Sequence, residues 1–128
     1  MLEININDTV YQFNAGMGFL REINKTMGAP IDGVPGEKQY IGLRYKISCL
    51  FDGDLEALVD VLIAMNKGFV PRVTAKTLDD YIEEANTDID DLFKTVLDFL
   101  GSANVTKKTV AMLQEEYEKL KAKQAENQ

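Results

Sequence analysis

The segment from Leu55 to Lys67 places the strongest constraint on the fold of this chain. Its apolar residues cover more than half of a helical circumference, and Asp54 before it and Gly68 after it are typical helix boundary residues. A helix that is apolar nearly all round either lies at the centre of a core or is covered by a partner. The apolar positions are Leu55, Leu58, Val59, Val61, Leu62, Ile63 and Met65.

The N-terminal residues 2–13 predict a β-hairpin. Apolar and polar residues alternate up to Ile6, and Asn7 and Asp8 form a plausible two-residue turn, because both side chains tolerate positive φ. In this register Leu2 faces Phe13, and one face of the hairpin is apolar. A two-stranded hairpin is marginal alone, so the apolar face must dock on helices or on another subunit.

The remaining apolar periodicity predicts further helices. Residues 28–38 contain two prolines and three glycines and predict a loop. Residues 39–51 fit a helix or, by the β propensity of residues 45–51, a strand, and we favour the helix. Thr77 with Asp80 resembles a capping box, and Gly101 is the expected C-cap of a helix that starts near Ile89. The other helices are expected at about residues 17–27 and from 106 to 120.

These elements predict a mainly α fold, with an N-terminal β-hairpin followed by about five helices. A chain of 128 residues is one domain by length. We expect residues 1–120 to form this single α-rich domain. Residues 121–128 offer no apolar anchor, so we expect a frayed C-terminal tail.

The composition excludes most catalytic designs. The chain has no histidine and one cysteine, so it lacks an imidazole base and cannot build a structural zinc site or an internal disulfide. We therefore expect no enzyme activity, no metal and no cofactor. The net charge of −7 disfavours nucleic acid and anionic membranes as partners. No apolar run is long enough for a membrane span, and the lone thiol fits a reduced, cytoplasmic location.

Three patterns suggest chemistry: two fail at diagnostic positions, and the third, paired carboxylates for a magnesium-dependent hydrolase, has no basic phosphate-binding residues placed near it. Gly16-Met17-Gly18 resembles a dinucleotide-binding turn, but the third glycine is replaced by Arg21. Asn86, Asp88 and Asp90 resemble a calcium loop, but Asp91 stands at the glycine position and Leu97 at the glutamate position. These acids fit the first turn of a helix, where the helix dipole favours negative charge. Paired carboxylates such as Glu115 and Glu118 fit solvated helix faces.

The apolar helix faces are the candidate protein-interaction surface. The last helix carries a narrow apolar stripe that includes Leu113 and Tyr117, at spacing similar to that of a coiled coil. This stripe can cover the core of its own chain or bind a partner helix. The candidate interaction residues are Val59, Ile63, Phe93, Leu97, Leu113 and Tyr117.

Read in order, the segments resemble the tail assembly chaperones of long-tailed bacteriophages and of prophages in Gram-positive bacteria. The resemblance extends from the hairpin to about Val110. It rests on three stretches: GMGFLREINK (residues 16–25), GLRYKISCLFDGDLEALVDVLIAM (residues 42–65) and LDDYIEEANTDIDDLFKTVLDFLGSANVTKKTV (residues 78–110).

The resemblance implies a non-enzymatic protein that binds and solubilises the tape measure protein during tail morphogenesis. It also implies a homo-oligomer, often spiral, in the cytoplasm of the host bacterium and absent from the mature virion. A further implied partner is a frameshifted longer form of the chain itself. Two rival functions remain: a small adaptor or antitoxin-like module that binds one folded partner, and a metal-dependent hydrolase.

Overall fold

The computed structural model describes residues 1–126 and confirms a mainly α fold with an N-terminal hairpin. The hairpin consists of β1 (Leu2–Ile6) and β2 (Thr9–Phe13), and a second, short hairpin consists of β3 (Gly28–Pro30) and β4 (Lys38–Tyr40). The six helices of the described residues are α1 (Met17–Asn24), α2 (Gly42–Phe51), α3 (Leu55–Asn66), α4 (Ala75–Glu83), α5 (Ile89–Ser102) and α6 (Lys107–Glu126).

The first hairpin has the register that its alternation predicts. Leu2 pairs with Phe13 and Ile4 with Tyr11, while Asn7 and Asp8 have φ values of 52° and 66° in the turn. Both are short polar residues that tolerate this conformation. The apolar face docks on the helices of the same chain, because β2 contacts α3 and both Ile6 and Phe13 are buried.

Helix α3 lies at the centre of the core. It contacts α1, α2, α4 and β2, and its buried residues include Leu58, Val61, Leu62 and Met65. The side chain of Asp54 accepts a hydrogen bond from the Ala57 amide at 3.1 Å, so it caps the helix as expected. The chain therefore buries most of this apolar helix itself.

The region between α1 and α2 differs from the prediction. The helix expected to reach Met27 ends at Asn24, and the predicted loop 28–38 contains β3 and the first residue of β4, Lys38. The helix expected from Gln39 begins at Gly42, because Gln39 and Tyr40 belong to β4. The three-residue strands are largely exposed, so they carry no alternating apolar pattern that would reveal them in sequence.

The close approach of α1 and α2 accounts for these boundaries. The Asn24 side chain accepts a hydrogen bond from the Leu43 amide at 3.0 Å, which satisfies a free amide at the start of α2. The Thr26 hydroxyl donates to the carbonyl of Ile23 at 2.6 Å. A Cβ on Gly42 would lie 1.9 Å from that carbonyl oxygen, so only glycine permits this contact.

Two further predicted helix boundaries are wrong. Thr74, not Thr77, is the N-cap of α4, and its side chain accepts from the Thr77 amide at 3.2 Å. Gly101 does not cap α5, which continues to Ser102 and has Ala103 as its C-cap. Gly101 instead lies where α6 approaches, with Val110 3.5 Å from the position of a Cβ.

Helix α6 packs on α2 and α5 through its first half, and Val110 and Leu113 are buried there. It continues as a helix beyond Leu120 to Glu126, with all side chains of 121–126 exposed. The last two residues of the expected frayed tail, 127 and 128, lie outside the described residues. The separation of a domain 1–120 from a frayed tail stays a prediction.

Candidate protein-interaction surface

A groove lies between the end of α2, one face of α5 and the start of α6. It is open and has a volume of about 730 Å³. Two residues of α5, Phe93 and Leu97, line it together with Phe51 from α2 and Val110 from α6. Phe93, Leu97 and Phe51 are half-buried against the core, so their outer surfaces remain accessible.

Phe51, which lines the groove, also forms an aromatic pair with Tyr117 of α6. The rings of Phe51 and Tyr117 stack with centroids 5.5 Å apart and an interplanar angle of 23°. The Lys121 ammonium lies 5.1 Å from the Tyr117 ring centroid, within the range of a cation–π contact. Sequence reasoning selected Tyr117 but missed Phe51, whose position at the end of α2 gave no sign that α6 would cross it.

The rim of the groove is polar and mainly acidic. Asp90, Lys94 and Asp98 project from α5, and Lys94 donates to Asp98 at 2.8 Å. This hydrogen bond is the main cause of the raised pKa of Lys94, and the negative charge of Asp98 is the second cause. Lys94 therefore stays charged at neutral pH, and its charge is offset within the rim by Asp98.

The other predicted interaction residues lie elsewhere. Val59 lines a cleft of about 380 Å³ between α3 and α4, together with Leu55 and Ile82. Ile63 lines a smaller pocket of about 260 Å³ near Arg72. Leu113 is only 7% exposed and belongs to the core of its own chain. The structure thus brings Phe93, Leu97 and Tyr117 to one region and separates the other three residues.

The acidic motifs have structural roles. Asp88 is the N-cap of α5, accepting from the Asp91 amide at 3.0 Å, and Asp90 and Asp91 occupy the first turn. Within residues 1–126, no group of three or more potential metal-ligating side chains comes together.

In the same part of the chain, no helix is long and apolar enough to cross a membrane.

One comparison with known proteins identifies the family. The sequence profile described as phage tail assembly chaperone protein, TAC, matches residues 3–115. The chain belongs to the phage tail assembly chaperone family. No curated protein and no solved structure matches the chain.

The part of the chain that matches the family is the part that forms the core. The match covers both strands of the N-terminal hairpin, α1 to α5 and the first half of α6, which are the elements that build the core. It supports a role in phage tail assembly, inside the host cell, with a phage tail protein as partner.

Proposed function

We propose that this chain is a tail assembly chaperone that binds the tape measure protein and keeps it soluble until the tail is built. The main observation in support is that this member of the chaperone family has an open groove lined by Phe51, Phe93 and Leu97. A groove lined by apolar side chains can bind the apolar face of an amphipathic helical client segment.

Binding at this groove would be passive. Apolar residues of the client cover the groove, and the removal of apolar surface from water supplies the affinity, at about 25 cal/mol per Å² less the costs of ordering. No covalent chemistry is involved, in keeping with a role other than catalysis. The acidic rim and the net charge of −7 keep the complex soluble.

The same proposal places the protein in the cytoplasm of the host bacterium, as an oligomer that is absent from the finished virion. Oligomerisation raises the number of grooves that act on one long client, which increases avidity without new contacts. A frameshifted longer form with the same groove would enter the same assembly.

Co-expression tests the chaperone activity. The tape measure protein of the same phage is expressed alone, with this chain, and with a Phe93→Ser/Leu97→Ser variant. We expect the chain to raise the soluble fraction of the tape measure protein and to copurify with it. The groove variant should lose both effects, because it removes two apolar anchors from the groove.

Leu120→Ser serves as the matched control, because Leu120 is 60% exposed on α6 outside the groove. Circular dichroism establishes that each variant is folded. A folded groove variant that solubilises the client as well as the unmodified chain would refute the groove as the client site. Failure of the unmodified chain to solubilise the client would refute the chaperone function and leave the adaptor alternative.

A further inference from the structure

The cleft between α3 and α4 has an apolar floor that the chain leaves uncovered. Leu55 is 41% exposed there, and Val59 and Ile82 are half-buried. The cleft, about 380 Å³ in volume, is separate from the groove between α2, α5 and α6, because the two share no lining residue. Its uncovered apolar side chains are therefore not explained by the client site.

Carboxylates surround this floor. Glu56 on α3 and Asp79 and Glu83 on α4 line the cleft, and none of the three forms an ion pair within residues 1–126. A fourth acid, Asp60, is paired with Lys46 at 2.8 Å. An apolar floor with unpaired acids on both sides favours an apolar ligand that is flanked by cations.

The loop after α3 has the complementary composition. Val70 is 91% exposed, which makes it an apolar side chain almost fully in water. Lys67 and Arg72 flank it in sequence, and Arg21 and Lys25 lie with Lys67 around the adjoining pocket. Glu22 is also there, and its hydrogen bond and charge interaction with Lys67 lower its pKa.

These two surfaces cannot meet fully within one chain. Leu55 in the cleft and Lys67 before the loop are separated by the length of α3, about 18 Å at 1.5 Å per residue. They can meet between two chains, where the exposed valine would cover the apolar floor. Arg72, which forms no ion pair within residues 1–126, would then face the carboxylates, while Lys67 remains paired with Glu22 at 2.6 Å.

We propose that the α3–α4 cleft of one copy accepts the loop 67–72 of a second copy. This inference rests on the self-association within the proposed function and specifies the contact through which it occurs. Each copy would use its cleft for one neighbour and its loop for another. Such a heterologous contact forms an open chain or spiral unless its rotation closes a ring. Because the cleft is small, each contact is weak, and assembly grows with concentration.

Two variants with opposite defects test this contact. Asp79→Lys/Glu83→Lys reverses the charge of the cleft and leaves the loop intact, whereas Val70→Asp disables the exposed loop and leaves the cleft intact. Sedimentation velocity is measured over a hundredfold range of protein concentration. We expect the unmodified chain to grow in size with concentration and each variant alone to remain monomeric.

The decisive sample is an equimolar mixture of the two variants. One variant still has a working loop and the other a working cleft, so the mixture should form dimers and nothing larger. A mixture that remains monomeric, or a cleft variant that still associates by itself, would overturn the proposal. Association of the unmodified chain should also weaken in 1 M NaCl, since the flanking contacts are between exposed charges.

The double variant Asp32→Lys/Glu37→Lys is the matched control. It changes the net charge by the same amount as the cleft variant, but both residues lie in the exposed loop between β3 and β4. We expect this control to associate like the unmodified chain. An equal loss of association in the control would show an effect of net charge and would contradict the cleft as the binding site.

Co-expression with the tape measure protein separates this inference from the proposed function. Both association variants retain Phe93 and Leu97, so they should still bind the client and copurify with it. Loss of client binding in the cleft variant, with self-association unchanged, would mean that the client and not a second copy occupies the cleft, and would overturn the proposal. A Phe93→Ser/Leu97→Ser variant that loses client binding should still self-associate, because its cleft and its loop are unchanged.

Discussion

Gly42 shows how one missing side chain sets the distance between two helices. A Cβ at this position would lie 1.9 Å from the Ile23 oxygen and 2.8 Å from the Thr26 hydroxyl oxygen. Gly42→Ala should therefore lower the free energy of unfolding by roughly 1–3 kcal/mol, because α1 or α2 must move. Urea unfolding measures the loss.

Gly18→Ala is the control for this prediction. A Cβ at Gly18 meets no atom within 4 Å, and the residue lies in α1. Alanine there should be neutral or stabilise by up to about 1 kcal/mol, since glycine is a poor helix former. Equal urea midpoints for the two variants would contradict the steric role of Gly42.

Asn66 joins three segments through a fully buried amide. Its Nδ2 donates to the Gln12 carbonyl at 2.9 Å and to the Pro71 carbonyl at 3.3 Å, while its Oδ1 accepts from the Val73 amide at 2.7 Å. Asn66→Asp keeps the shape but removes both donated hydrogen bonds and buries a charge. We expect a loss of about 3 kcal/mol or more in the free energy of unfolding at pH 7.

The pH dependence of this variant has a definite sign. Burial raises the pKa of a new carboxyl at this site, so the destabilisation should be largest at neutral pH. It should shrink toward pH 4, where a protonated carboxyl can again donate one hydrogen bond. Urea unfolding at both pH values measures this, with the exposed Asn86→Asp as control. A loss that does not depend on pH would contradict the account.

At the scale of elements, α6 combines two different halves. Its first half packs on α2 and α5, and Leu113 is 7% exposed there. Leu113→Ala should therefore cost about 2–5 kcal/mol of stability, as for a buried leucine. Denaturant unfolding at low protein concentration measures this cost. A fully stable variant that has lost client or self-association would instead place Leu113 in an interface.

The second half of α6 should contribute little to folding. The side chains of residues 121–126 are exposed. The cation–π contact with the Tyr117 ring involves only Lys121, the first residue of this segment. Truncation after Leu120 should therefore lower Tm by no more than about 4 °C, which corresponds to about 1 kcal/mol for a domain of this size. A larger fall in a thermal melt would show that the tail is docked.

For the whole molecule, the shared core predicts one cooperative unfolding transition. Phe13 from the hairpin, Leu58 from α3, Val96 from α5 and Val110 from α6 belong to the same buried cluster. Far-ultraviolet circular dichroism and tyrosine fluorescence should give coincident melting curves. The experiment uses the Val70→Asp variant at low concentration, so that dissociation does not add a second transition. Separate melting of the hairpin would contradict a single domain.

Sequence patterns predicted the elements that bury one face. The alternation from Leu2 to Phe13 gave the hairpin register, since a slip of one residue would turn the apolar face to water. Asp54 was identified as a cap and Asp90 as part of an acidic first turn, because these are local effects within a few residues, whereas Asp88, expected in the same turn, is the N-cap. Element type therefore followed from local pattern and turn chemistry.

Boundaries that depend on distant contacts could not be predicted in this way. The end of α1, the strands β3 and β4 and the start of α2 are set by contacts such as that between Asn24 and Leu43, 19 residues apart. The continuation of α5 through Gly101 likewise accompanies the approach of Val110. Neither of these contacts between distant segments leaves a periodic signal in the sequence.

The sequence by itself determined the mainly α fold and the hairpin register, because periodicity, turn residues and local capping act over short distances. It also carried the resemblance to tail assembly chaperones, in the stretches 16–25, 42–65 and 78–110. Only the tertiary structure decided which apolar faces are core and which are surface. Leu113 and Tyr117 lie on one apolar stripe, yet Leu113 is buried and Tyr117 stacks on Phe51 at the groove. The angle at which helices cross makes that difference, and it is set by side-chain packing between segments far apart in the chain.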